Sequence, residues 1–157
     1  MLRQAIPFID PRSESPWESV MRVLHAGVGI EVEPQHHIFD QQGEFVARAD
    51  LWIVGTRRLH EYDGAVHRDA QVHRGDLFRD RRLTAEGWER MGFTAPDLIH
   101  NGGAVLHSAQ QALGRASNGQ DLRRWNGLLA ASLFTATGRQ RAQRRWGCAD
   151  PSETGDR

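Results

Sequence analysis

Asp50, Glu61 and Asp63 are carboxylates in a stretch that otherwise reads as strand. Acids are depleted in strands, so their presence there calls for a reason. If a hairpin turns between Gly55 and Thr56, paired residues sum to 111 and Asp50 lies directly across from Glu61. Such a pair has its Cβ atoms about 5 Å apart. Side chains alternate along a strand, so Asp63 shares the face of Glu61. A loop longer or shorter by two residues keeps that face, whereas a one-residue change destroys the cluster. Three carboxylates on one patch repel, and their pKa values rise unless something neutralises them. A hard divalent cation does so. Mg²⁺, or Mn²⁺ in its place, prefers oxygen ligands and keeps several waters; such an ion polarises a phosphate and activates a bound water. The competing reading is that Asp50 and Asp63 merely flank exposed strand ends.

Neighbouring residues extend the constellation. Gly64 lets the chain leave the strand sharply, which places His67 beside the acids as a general base or acid near neutral pH. A turn centred on Gln41-Gln42 gives pairs that sum to 83, so that Gln35 faces Arg48 on the side of Asp50. Gln35 is then either a ligand of a metal-bound water or phosphate, or a polar residue on a wet strand. Glu18 also has two readings. In Ser15-Pro16-Trp17-Glu18 it closes a capping box; alternatively it points into the acidic cluster from a helix packed across the sheet.

The elements that must position these groups follow from periodicity. Val20, Val23, Leu24 and Val28 make an apolar helical stripe that Gly27 and Gly29 end. Strands are expected over 32–39, 45–54 and 59–63, joined as an antiparallel meander. A charged helix runs from about Asp69 to Glu86 and stops at Gly87, and a further strand spans Trp88 to Phe93. Helical segments follow from Thr94 and over Ala104 to Leu113. A linker at Ser117-Asn118-Gly119 leads to a helix from Asp121 to Trp146, interrupted near Thr137-Gly138. The order predicts a mixed α/β domain. Its parts are an N-terminal extension (1–14), a main domain (15–115), an arginine-rich helical extension (116–146) and a tail expected to be disordered (147–157).

With 157 residues the chain is large enough for one core. It has no run of the roughly 20 apolar residues that a membrane helix needs and no signal-peptide pattern at its start, so a cytoplasmic protein without a membrane partner is expected. The single Cys148 excludes an internal disulfide and a cysteine zinc cluster. Net charge is zero, yet residues 1–67 hold ten acids and six arginines, while residues 115–145 hold seven arginines and one acid. That basic segment is either a phosphate-binding surface or a solvated helix face. All twenty basic residues are arginine and none is lysine.

Taken together, Ser15-Pro16-Trp17-Glu18-Ser19, Pro34-Gln35, Arg48-Ala49-Asp50-Leu51, Glu61-Tyr62-Asp63-Gly64 with His67, Arg79-Asp80 with Leu83, and Gly87-Trp88 resemble a known family over roughly residues 12–100. It comprises the small endonuclease-like domains related to the very-short-patch-repair (Vsr) endonucleases of the PD-(D/E)XK superfamily. Ser132-Leu133-Phe134 and Gly138-Arg139 look like the tail of its actinobacterial members, some of which carry a winged-helix region and are AbiEi-associated. The resemblance implies a restriction-endonuclease-like core of helix, three-stranded antiparallel meander, helix and strand, followed by C-terminal helices. It assigns Asp50 and Glu61 as metal ligands with Glu18 from the first helix, and puts Asp63 where the superfamily often has a lysine. With no lysine in the chain, His67 or a second metal would assist the water. Ala49 stands where the superfamily name has proline.

Three functions compete. One is a Mg²⁺-dependent DNA endonuclease acting in phage defence or DNA repair, with Arg48 and Arg79 on phosphate. Phosphate contacts of this kind fix position without reading sequence. A second is a non-catalytic DNA- or protein-binding regulatory module of an abortive-infection or toxin–antitoxin system. The third is an RNA-directed nuclease; no aromatic stacking pattern of single-strand binders is evident in the sequence.

Overall fold

A computed structural model describes residues 10–64, 70–116 and 119–146. Helix α1 is Pro16–Gly27. Ser15, extended at φ −139°, caps it by accepting the amide of Glu18, and proline takes the first helical position, where no donor is needed. Strands β1 (Val32–Phe39), β2 (Phe45–Ile53) and β3 (Arg58–Tyr62) follow, then helix α2 (Ala70–Ala85) and strand β4 (Glu89–Phe93). Four helices complete the described chain: α3 (Ala95–His100), α4 (Gly102–Ala112), α5 (Gly119–Ala131) and α6 (Ala136–Trp146). The fold is mixed α/β, with one four-stranded sheet in the order β1-β2-β3-β4.

The meander is antiparallel and β4 joins β3 in parallel after the α2 crossover. Leu51 pairs with His60 and Trp52 with Leu59, the register in which pairs sum to 111. The first hairpin corrects its expected register. His36 pairs with Ala49 and His37 with Arg48, so pairs sum to 85. The reason lies in the turn. Asp40, not Gln41-Gln42, organises it: Asp40 Oδ1 accepts the amides of Gln42 and Glu44 at 3.0 and 2.8 Å, and Gly43 sits at φ +83°. The two-residue offset preserves the face but separates Gln35 from Arg48. Gln35 itself lies at φ +54°, in the sparse left-handed region, between the pairs Pro34↔Leu51 and His36↔Ala49.

Burial forms two apolar clusters. Met21 and Leu24 of α1, Leu51, Ile53 and Phe93 of the sheet, and Trp125 of α5 belong to the first. Leu83 of α2 and Trp88 join Ile38, Val46 and Leu59 in the second. Alternation along β3 therefore sends His60 toward α1 and Glu61 toward α2, where each finds a partner. A second correction concerns the C-terminal helices. The break between α5 and α6 falls at 132–135, ahead of Thr137-Gly138. Thr135 Oγ1 accepts the Gly138 amide at 3.0 Å and so starts α6, inside which Gly138 lies. No helix among the described residues is long and apolar enough to cross a membrane.

Candidate functional site

Asp50 is half-buried near the middle of β2. Its Oδ2 accepts the Tyr62 amide at 2.8 Å, a contact that ties β2 to the end of β3. Burial pushes the Asp50 carboxyl up to about 6, and the nearby charges of Glu18 and Glu61 push the same way. The Tyr62 amide and the charge of Arg79 oppose the shift. The charges of Glu18 and Glu61 thus both reach Asp50.

Glu18 and Glu61 are both buried, and their surroundings differ. Glu18 Oε2 accepts the Glu14 amide at 2.8 Å and the Gln35 side-chain amide at 2.9 Å. The expected capping box is therefore half formed: Ser15 accepts from residue 18, but the carboxylate of Glu18 reaches the amide of Glu14 instead of Ser15. Glu61 Oε2 accepts Arg79 at 2.8 Å and Arg90 at 2.6 Å. Arg90 also pairs through Nε with Asp80 at 3.0 Å. Nearby acids hold the Arg90 guanidinium above its usual range although burial acts against it.

The remaining expected residues are placed less centrally. Asp63 follows the end of β3 and is exposed. Its carboxylate lies over Gly92, in the space that a Cβ there would occupy, so glycine at that point of β4 makes room for it. Arg48 does not meet Gln35; it pairs with Glu14 at 2.8 Å on the surface. Arg79 is bound to Glu61 rather than free for phosphate. His67 and the Asp69 start of the charged helix lie outside the described residues.

Among the described residues no group of three or more His, Cys, Asp or Glu side chains is arranged to hold a metal ion. The expected trio of Glu18, Asp50 and Glu61 is within electrostatic reach but not gathered, because Gln35 and the Glu14 amide engage Glu18 while two guanidiniums engage Glu61. Two oxygen atoms are nevertheless left over. Glu61 Oε1 and Gln35 Oε1 are buried and have no hydrogen-bond partner among the described residues. Asp50 and the free oxygen of Glu61 are hard oxygen donors, the type of ligand Mg²⁺ prefers.

Two features escaped the sequence reading. Arg90 is one; the alternation of Arg90 and Gly92 along β4 was its only signal. The other is a buried polar chain on the α1 side. His25 Nδ1 meets Met21 O at 2.7 Å, His25 Nε2 meets His60 Nδ1 at 3.0 Å, and His60 Nε2 meets Ser108 Oγ at 3.1 Å. Arg58 ends the chain by donating to Ser108 Oγ at 2.8 Å. Burial lowers His25 to about 4 and, with the charges of His25 and Arg58, holds His60 well below its ordinary value.

Comparison with protein-family models, with curated proteins and with solved structures gives no match for this chain.

Proposed function

We propose that the protein is a Mg²⁺-dependent nuclease of the Vsr-like, PD-(D/E)XK type that hydrolyses phosphodiesters in DNA. The observation that carries this reading is Asp50: a half-buried carboxylate raised to about 6, beside Glu18 and Glu61 and fixed by the Tyr62 amide. Like-charged groups kept together at a cost in stability mark functional sites more often than structural ones. The element order helix, antiparallel meander, helix, strand is in keeping with the one the family resemblance implies.

Asp50 and Glu61 would hold the ion, with Glu18 behind them through Gln35. The metal, when bound, would supply Lewis-acid polarisation of the phosphate and an activated water. The chain's own residues set the stage. Tyr62 orients Asp50 through its amide, Gln35 and the Glu14 amide fix Glu18, and Arg79 and Arg90 sit where negative charge gathers. Guanidiniums suit bidentate phosphate binding. The test is nicking of plasmid DNA by the purified protein with Mg²⁺ or Mn²⁺, against Asp50→Ala. Nicking by the wild type alone is expected; equal nicking by both overturns the reading.

A second reading has its own observation. Arg79 and Arg90 already neutralise Glu61, as in a structural ion-pair network. That favours a non-catalytic DNA- or protein-binding regulatory module, for which metal-independent DNA binding without any nicking is the expected result.

A further inference from the structure

We infer that the arginine-rich surface of α5 and α6 binds the phosphate backbone of a nucleic acid. The choice of nucleic acid as the polyanion rests on the proposed function; the surface itself does not. Residues 115–145 carry seven arginines and one acid in a chain of zero net charge. That acid, Asp121, is occupied by the side-chain amide of Gln110 at 2.8 Å. Arg123, Arg124, Arg139, Arg141 and Arg144 are exposed, and none makes an ion pair among the described residues. Several arginines elsewhere are committed: Arg58 to Glu89, Arg82 to Asp40, Arg79 and Arg90 to Glu61.

Packing does not account for α6. Gly138 is the one buried residue among its described side chains. A helix polar all round does not hold its place by burying an apolar stripe. A membrane-surface helix would need a broad apolar face opposite its charges, and the eleven residues ATGRQRAQRRW offer two alanines and one tryptophan. On α6, guanidiniums that lack an acid partner and have no broad apolar face beside them suit a polyphosphate.

The connection between α5 and α6 sets this surface beside the acidic site. Phe134 stacks on Trp17 with centroids 5.0 Å apart, and Trp17 stacks on Tyr62 at 5.9 Å. Tyr62 is the residue whose amide holds Asp50. Arg139 secures the connection, donating to the carbonyls of Leu133 and Phe134 at 3.0 and 3.2 Å. The segment that joins the two arginine-rich helices therefore packs, through Trp17, against the residue that holds Asp50.

The experiment is fluorescence anisotropy of a labelled DNA duplex with the full chain in EDTA, where cleavage is blocked, across a salt series. The triple variant Arg123→Gln/Arg141→Gln/Arg144→Gln is expected to bind about tenfold more weakly or worse at low salt. Its slope of log K against log salt should be shallower by roughly 2 to 3, the release of about three phosphate contacts. The matching triple Arg→Lys variant is expected to recover the slope, which a merely misfolded arm would not do. Unchanged affinity and slope in the Gln variant overturn the inference, as does an absence of duplex binding by the wild type. Tighter arm-dependent binding to phosphatidylserine vesicles than to the duplex also overturns it. If arm-dependent binding holds while no nicking occurs with any metal, the nuclease reading falls and this surface stands.

Discussion

The amide of Tyr62 donates to the carboxylate of Asp50 at 2.8 Å, so the last residue of β3 orients an acid on β2. Oxygen Oδ2 is thereby fixed in direction while the carboxyl stays half-buried among other acids. Asp50 should be the residue whose loss is felt most in catalysis. Asp50→Ala is expected to reduce metal-dependent nicking by at least about a hundredfold, the scale of removing a group that places charge in the transition state. Quantifying nicked plasmid against time, with circular dichroism to confirm folding, checks this.

The same carboxyl has a predictable effect on stability. Its folded pKa of about 6 lies above the ordinary carboxyl value of 3.8. The folded state therefore holds the proton more tightly, and the associated stability is present below pH 4 and lost as pH rises through 6. In metal-free protein at pH 7, Asp50→Asn should thus be more stable than wild type by about 1 to 2 kcal/mol, after allowance for solvent screening. The gain should vanish near pH 4. Urea unfolding at the two pH values measures it.

Arg90 should support Glu61 more than its distance from the sequence motifs suggests. Arg90→Gln leaves a buried carboxylate with Arg79 alone, and a loss of about 1 to 3 kcal/mol is expected. Thermal unfolding in EDTA reads this out. Added Mg²⁺ should restore part of the loss if the cation takes over the charge of Glu61.

The histidine chain makes a spectroscopic prediction. Met21 O is an acceptor only, so His25 must carry its proton on Nδ1 and present Nε2 as acceptor. His60 must then be protonated on Nδ1, and Ser108 must donate to His60 Nε2 while accepting from Arg58. Nitrogen-15 shifts should show both rings as neutral Nδ1–H tautomers. With His25 lowered to about 4, the unfolded chain takes up protons first, so stability falls as pH drops from 6.5 toward 4. Its share is on the order of 3 kcal/mol.

Gly138 should resist enlargement. A Cβ at that position would collide with the carbonyl of Ser132, a backbone group that has little freedom to yield. Gly138→Ala is expected to cost about 1 to 3 kcal/mol or to detach α6 locally, visible as faster amide exchange over 136–146.

What the sequence made legible follows a physical divide. The turn at Gly55, at φ +81°, lies in a short four-residue connection between Ile53 and Arg58, so the 111 register that sets Asp50 and Glu61 on one side could be read from spacing. The first hairpin could not, because Asp40 gathers a wider turn by bonding two amides and Gln35 leaves the regular strand path. Gln35 still ends near the acids, since an offset of two keeps the face, but its partner is Glu18 instead of Arg48. Arg90 and the His25–His60 pair were illegible for another reason. Each depends on which helix covers which side of β3, and a local pattern does not carry that information.

Residue 62 divides its labour between backbone and ring. The backbone holds an acid, and any amino acid except proline would supply that N–H. The ring, the chain's single tyrosine, touches Trp17 and through it Phe134 and the arginine helices. The two tasks are separable by mutation. A side-chain change at 62 can loosen or re-aim the basic arm while the acid keeps its anchor, so grip on a long polyanion and chemistry at one of its bonds can drift independently from the same position.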